Sequence, residues 1–345
     1  MRGIARLAHE LGISTGTVSR ALNGKPDVSE KTRELVLATA KRLGYAPNQA
    51  ARALAQGATR SVGFMIDLDR ENAPSSEYFF MGVFDGLQSV LRENGLDLLV
   101  LPRPTTEDSA AYLQRYVARG VFDGMILAAV QRADPRIDVL QAAGMPFVTL
   151  GRSSTARDYS WIDLDFEGVV DVAIDRLVAA GHRRIAVTVP TGNINFGPLF
   201  AESYRRALER NGLPFDPALV IETRRSEEAG YEITDQMLAM PNRPTAILLI
   251  YEIAAIGIYR RLNELGLKPG ADLAVIGFRD EPTIRFLEPS LTCFSASLTD
   301  IGVALGRALL VQIPGYAPDA TDRDLVQTRA PMALRAGASD QPPAA

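Results

Sequence analysis

The chain holds one cysteine, Cys293, one tryptophan, Trp161, and two histidines, His9 and His182, among 345 residues. A lone cysteine excludes an intramolecular disulfide and a thiolate metal cluster, and free cysteine is most often a small buried apolar residue. Two isolated histidines give no metal or catalytic constellation. His182, just before an apolar run, reads as structural. No run reaches the ~18 apolar residues of a membrane span, and the first residues lack the apolar core of a secretory leader. A nucleophile elbow and a phosphate-cradling glycine loop are also missing. The expectation is a cytoplasmic protein that is not an enzyme, with no metal, no cofactor and no membrane partner. A net charge of −4 excludes a uniformly polybasic binder.

That charge is unevenly placed. Residues 1–60 carry ten Lys and Arg against four Asp and Glu, and the rest of the chain carries twenty-seven against thirty-seven. A basic head on an acidic body fits a nucleic-acid-binding module joined to a body with another task.

The head starts with two short helical patterns. Ile4, Leu7, Ala8 and Leu11 recur at helical spacing, which makes one face apolar. Gly12 stops that helix, because glycine takes a left-handed backbone without strain. Ser14 supplies an N-cap oxygen for the next helix. In that second helix Val18, Ala21 and Leu22 form the buried side, while Thr15, Gly16, Ser19 and Arg20 point away. A small, polar face ending in a cation suits a major groove. A third helix, residues 30–43, follows with Ser29 as N-cap, and Leu35, Val36, Ala38, Thr39, Ala40 and Leu43 include its packing face. Residues 47–57 form a fourth pattern with Pro47 at the start and Gly57 at the end. Helices shorter than ~12–15 residues are marginal alone, so this one should fold only when something holds it.

From Ser61 onward, short apolar runs alternate with amphipathic helices, and the alternation restarts after Tyr159. Near-continuous apolar strands between helices indicate parallel sheets covered on both faces. The fold expected is α/β: an all-α helix-turn-helix head on two doubly wound lobes, with a ligand site in the cleft between the lobes at the strands' carboxyl ends. The boundaries expected are a head over 1–46, a hinge helix and linker over 47–60, and a body over 61–335. One lobe spans about 61–158 plus 291–320, the other about 159–290 plus 321–335. The Ala-, Ser- and Pro-rich segment 336–345 is expected to be disordered.

These features resemble the LacI/GalR family of bacterial transcription regulators over nearly the whole chain. The carrying motifs are TVSRALNG (17–24), VSEKTRELVL (28–37), LGYAPNQAARALAQG (43–57), GHRRIA (181–186), YRRAL (204–208), DLAVIGF (272–278) and PSLT (289–292). The resemblance implies lobes like those of periplasmic sugar-binding proteins. It also implies a homodimer, with a higher oligomer compatible, on double-stranded operator DNA, and a small-molecule effector, a sugar or sugar derivative. Thr15, Gly16 and Arg20 then sit where base edges are read, and Ser14, Thr17, Ser19 and Asn23 where phosphates are held. The short helix becomes a minor-groove hinge. There Leu54 is the apolar wedge, Ala51 and Arg52 face the groove or its walls, and Asn48 faces a phosphate.

The resemblance places the effector among Tyr78, Phe79, Arg152, Trp161, Asp163, Asn195, Tyr251, Glu252 and Arg279. The sequence departs from the family here: Arg279 replaces a carboxylate that commonly fixes sugar hydroxyls, and Tyr251-Glu252 replaces an Asn-Asp pair. Two readings of Arg279 stand open. It binds an anionic group of the effector, or it pairs internally with Asp280, Glu281 or Glu252. Trp161 likewise reads as ligand platform or as core. The function expected is a ligand-responsive repressor. The alternative is a periplasmic-type sugar-binding protein without a regulatory role.

Overall fold

The computed structural model describes residues 3–22, 24–45, 58–68, 77–104, 106–154, 158–316 and 325–343. They fall into two compact units, residues 1–60 and 61–345. The expected hinge helix lies outside the described residues, with Asn48, Ala51, Arg52 and Leu54, and so does Asn23.

The first unit contains α1 (Ile4–Leu11), α2 (Thr15–Leu22) and α3 (Glu30–Arg42). Gly12 ends α1 with φ at 63°, and Ser14 Oγ accepts from the Thr17 N–H at 3.0 Å. Ser29 caps α3 in the same way through the Thr32 N–H. Leu7, Ala8, Val18, Ala21, Val28, Val36 and Ala40 form one buried cluster. The core is thus built from the spacings seen in the sequence, with two corrections: Ala38 is exposed, and so is Leu35. Leu35 faces solvent, 55% exposed. It lies one residue, about 100° of helix, from the buried Val36, and the head is too small to cover both.

The second unit contains two parallel sheets. The first has the order β11-β5-β4-β3-β1-β2. Its strands are β1 (Ser61–Leu68), β2 (Asp97–Pro104), β3 (Gly124–Leu127), β4 (Phe147–Leu150), β5 (Ser160–Leu164) and β11 (Gln327–Ala330). The second, of order β7-β6-β8-β9, is formed by β6 (Ile185–Pro190), β7 (Val220–Thr223), β8 (Ala246–Leu249) and β9 (Ala274–Gly277). Strands β3, β4, β6, β8 and β9 are buried along their whole length, as two-sided helical cover requires. Of the covering helices, α4 (Glu77–Glu93), α5 (Ser109–Arg119), α6 (Pro135–Ala142) and α11 (Leu298–Leu310) serve the first sheet. Helices α7 (Phe166–Ala179), α8 (Phe196–Arg210), α9 (Glu227–Leu238) and α10 (Ala254–Glu264) serve the second. Helices α4 and α11 meet so closely that a Cβ on Gly302 would lie 2.0 Å from Val83 O.

Two boundaries differ from expectation. Strand β5 pairs in parallel with β4, and β11 with β5, so residues 160–164 and 327–330 complete the first lobe rather than the second. Conversely, β10 (Cys293–Ser295) pairs with β12 (Ala333–Arg335), and Thr292 bridges to Ile276 of β9; these belong to the second lobe. The chain therefore crosses between lobes near 165, 297 and 331. A short crossing strand has no helix period to reveal which sheet it joins.

Residues 336–343 are ordered, against the expectation of a disordered tail over 336–345. Ser339 and Asp340 are buried. Ser339 O accepts from the Val275 N–H at 2.8 Å, and Ser339 Oγ donates to Val275 O at 2.6 Å. Asp340 accepts from Thr292 Oγ1 at 2.7 Å and pairs with Arg176. His182 Nε2 donates to Gln341 O at 2.9 Å while Nδ1 meets Thr245 Oγ1. Burial lowers the His182 pKa, which favours this neutral ring. Strand β9 is a sheet edge with open backbone groups, and the polar tail satisfies them. Composition alone does not show that partner.

Candidate functional site

In the head, Val18 and Ala21 are buried against α1 and α3, and this turns the opposite face of α2 outward. Thr15, Gly16 and Arg20 are exposed, and Thr17 and Ser19 half-exposed. Ser14 Oγ also meets Thr17 Oγ1 at 2.9 Å. Arg20 reaches Asp27 at 3.3 Å, with both side chains more than half exposed. Such a pair is weakly held and easily exchanged for another anion.

In the body, a cavity of about 440 Å³ opens between the two sheets at their carboxyl ends. Its first-lobe wall includes Asp67 near the end of β1, Phe79, Phe80 and Phe84 of α4, Ala128 to Val130 after β3, and Gly151-Arg152 after β4. The second-lobe wall includes Phe166, Thr191, Ile194, Phe196, Arg225, Tyr251, Glu252, Phe278 and Arg279. Phe166 stacks on Phe278 at 4.9 Å and on Phe196 at 5.1 Å. These rings form an apolar floor of the kind that takes one face of a ring ligand.

The charged groups of the cavity are paired. Arg279 contacts Glu281 and lies 3.2 Å from Glu252. Arg225 lies 2.8 Å from Glu281 and 3.3 Å from Glu252. On the other wall Arg152 contacts Glu167 at 2.5 Å and Asp163 at 3.2 Å. Burial raises the Glu252 carboxyl above the usual range, and Arg279 opposes this. Burial likewise pushes Asp163 up to about 7, with Arg152 opposing. Arg152 Nε, Asp163 Oδ2 and Arg279 Nε are enclosed without a hydrogen bond of good geometry. Among the described residues no group of three or more His, Cys, Asp or Glu could hold a metal ion, and no helix is long and apolar enough to cross a membrane.

Comparison with known proteins agrees with this architecture. The profile of bacterial regulatory proteins of the lacI family matches residues 1–48, and that of the periplasmic binding protein-like domain matches residues 174–339. The HTH-type transcriptional regulator AglR of Rhizobium meliloti is 34% identical over 89% of this chain and 86% of its own. The chain belongs to the lacI family of bacterial regulatory proteins. CelR of Thermobifida fusca, another HTH-type transcriptional regulator, is 30% identical over 88% of this chain and 89% of its own. Among solved structures, the lac repressor dimer bound to operator and an anti-inducer superposes with a TM-score of 0.82. It is 25% identical and covers 97% of this chain and 98% of that one. A complex of the regulator CelR with cellobiose gives a TM-score of 0.73 at 26% identity, over 98% and 100% of the two chains.

Of the effector residues expected in this lacI-family regulator, Phe79, Arg152, Asp163, Tyr251, Glu252 and Arg279 line the cavity, and Tyr78, Trp161 and Asn195 do not. Tyr78 is 48% exposed, one helical position away from Phe79. Trp161 lies on β5 two residues before Asp163, hence on the same face but one pleat farther from the cleft. It packs beside the buried cluster of Phe147 and Tyr159, beneath the Arg152 guanidinium at 5.4 Å. Asn195 is buried and donates from Nδ2 to Arg152 O at 2.7 Å, tying the lobes instead of facing the cavity. Arg279 pairs with Glu252 and Glu281, two of the three partners that the internal reading named. Arg225 and the Phe166–Phe196–Phe278 stack escape the sequence reading. For Arg225 a signal was there: it stands just past the carboxyl end of β7, where ligands of such sheets bind.

Proposed function

We propose that this chain is a ligand-responsive transcriptional repressor. It works as a dimer in the cytoplasm, on a near-palindromic operator, and has no enzymatic activity. The observation that carries this is a helix-turn-helix head whose polar α2 face is left outward, on a chain that also holds an enclosed two-walled cavity. Thr15, Gly16 and Arg20 face base edges, with Arg20 the direct reader of a guanine. Ser14, Thr17, Ser19 and Asn23 hold phosphates. Residues 47–60 form the hinge, with Leu54 as the minor-groove wedge flanked by Asn48, Ala51 and Arg52.

The effector is an uncharged sugar or sugar derivative. Arg152, Arg225 and Arg279 each already face carboxylates, so among the described lining residues only the half-exposed Arg224, 3.7 Å from Glu232, is a loosely held cation, too little for a phosphate. The alternating guanidinium and carboxylate groups suit hydroxyls, and the aromatic floor suits a sugar ring. That CelR was solved with cellobiose supports this class. Binding to one lobe arrangement in preference to another would shift operator affinity, with coupling of typically about 1–3 kcal/mol.

Titration of the full chain against a pool of near-palindromic duplexes tests the reading. Affinity should fall steeply as salt rises, since phosphate contacts release counterions. A chain starting at Ser61 should lose DNA binding and keep sugar-induced thermal stabilisation. Failure of the full chain to bind any duplex at low salt, with or without sugars, overturns the proposal.

A further inference from the structure

Arg136 and Asp134 form an ion pair in which both side chains are fully enclosed. Arg136 Nη2 meets Asp134 Oδ2 at 2.6 Å and Nε meets Oδ1 at 2.9 Å. The same Nη2 also donates to the carbonyls of Ala128 at 3.0 Å and Ala129 at 3.1 Å. Asp134 in turn accepts from the backbone N–H of Gln131 at 3.0 Å. Taking two full charges out of water is costly, and apolar residues of similar volume often serve stability as well or better. What apolar residues cannot do is hold three backbone groups of one loop at once.

That loop needs holding. Ala129 has φ at +50°, a left-handed backbone that alanine avoids. Ala128, Ala129 and Val130 form part of the cavity wall. The next residues make the contact between lobes. Gln131 stands opposite Ile194 in a short antiparallel bridge. The Asn195 N–H donates to Val130 O at 2.9 Å, and the Arg132 N–H to Asn193 O at 2.9 Å. Ile194 belongs to the opposite cavity wall. The pair 134–136 is therefore anchored to the same loop that defines one cleft wall and joins it to the other.

We propose that Arg136, through Asp134, is the positioning residue that sets the bridge between Gln131 and Ile194 and so the separation of the two cleft walls. Calling that cleft an effector site rests on the regulatory reading above; the geometric assignment does not. An occupant touching Ala129 and Val130 on one side and Ile194 on the other has to fit the spacing that this clamp fixes.

The bridge can be read chemically. The two flanking hydrogen bonds make Gln131 and Ile194 a non-hydrogen-bonded antiparallel pair, with Cα atoms about 4.5 Å apart, inside the span of a disulfide of roughly 4.4–6.8 Å. The one native cysteine, Cys293, is buried and does not compete. The full-length double variant Gln131→Cys/Ile194→Cys is oxidised with diamide, and the cross-linking rate is followed on non-reducing gels well below the melting temperature. The parent double variant should cross-link rapidly. Adding Arg136→Met should slow this about tenfold or more, because loop carbonyls and Asp134 lose their buried partner. Arg136→Lys should be intermediate, since an ammonium keeps the charge but not the fork. Adding Ala129→Gly to Arg136→Lys should restore the rate, because glycine takes the positive φ without a clamp.

Cross-linking of a folded Arg136→Met variant at the parental rate overturns the proposal. Where Arg136→Met does not fold, the Arg136→Lys variant decides: a parental rate overturns the proposal, and so does a slow rate that Ala129→Gly leaves unchanged. The readout needs neither DNA nor effector. Loss of operator binding by the unmutated chain would overturn the regulatory reading alone, and unchanged cross-linking would overturn the bridge assignment alone.

Discussion

The guanidinium carbon of Arg279 lies 4.6 Å from the centre of the Phe79 ring. Phe79 belongs to α4 of the first lobe, and Arg279 follows β9 of the second, so the contact spans the cleft. Arg279 is only 6% exposed, and a desolvated cation over a ring is worth about 2 kcal/mol. Phe79→Leu keeps the apolar volume and removes the ring. The ligand-free variant should populate more open lobes, seen as a larger radius of gyration by small-angle scattering. An unchanged scattering curve would show that the contact does not hold the cleft.

Arg20 gives a second prediction. Its exchange for alanine should weaken binding to the preferred duplex by about 1–3 kcal/mol and relax the preference at one base pair of each half-site. The check is a binding series over single-base operator variants. Uniform weakening with every preference retained would make Arg20 a phosphate clamp.

The third prediction concerns pH. The Asp163 carboxyl, raised to about 7 by burial, holds its proton in the folded state where the unfolded chain has already lost it. Folding stability from this group is complete below the ordinary Asp range and is lost as pH rises towards 7, by up to about 1.4 kcal/mol per pH unit. Asp163→Asn removes the dependence. The variant should therefore gain stability relative to the parent as pH rises from about 4 to 7, with a constant difference above that. Urea unfolding followed by Trp161, the single tryptophan, reports on the same strand. A difference that stays flat over this range would contradict the assignment.

Gly302 offers a fourth test. A Cβ there would also approach Leu87 N to 2.6 Å, and neither that backbone nor the α4 axis has room to give. Gly302→Ala should cost about 1–3 kcal/mol or more by overpacking. The same fluorescence measurement checks it, and a change within about 0.5 kcal/mol would place the variant with ordinary surface substitutions.

The head was legible almost residue by residue, because its signals are local. Gly12, Ser14 and Ser29 act on their own neighbours, and a 3.6-residue period places Val18 and Val36 inside. The two-lobed body was legible as a class, through the alternation of apolar runs and helices. Its lobe boundaries were not, because β5, β10, β11 and β12 are short, and the pairings of β11 with β5 and of β10 with β12 join segments distant in sequence. The ordered tail was hidden for the same reason: Ser339 is buried by Val275, some sixty residues earlier. In the cleft, strand-end positions such as Arg152 and Glu252 could be read from topology. The fully enclosed Arg136 could not, since an arginine near a helix start looks like a solvated one until its fold is known.

The three crossings between lobes also dictate an order of construction. The three helices of the head need only the first 45 residues, which supply every member of their buried cluster. Neither lobe can finish early. The first sheet waits for β11 at 327–330 to cover β5, and the second for the strap at 338–341 to close β9. On a ribosome extending from the N-terminus, the three-helix core can form while the cleft is still incomplete. In each newly made molecule, the helices that would enter the major groove can be in place before the cleft that would govern them.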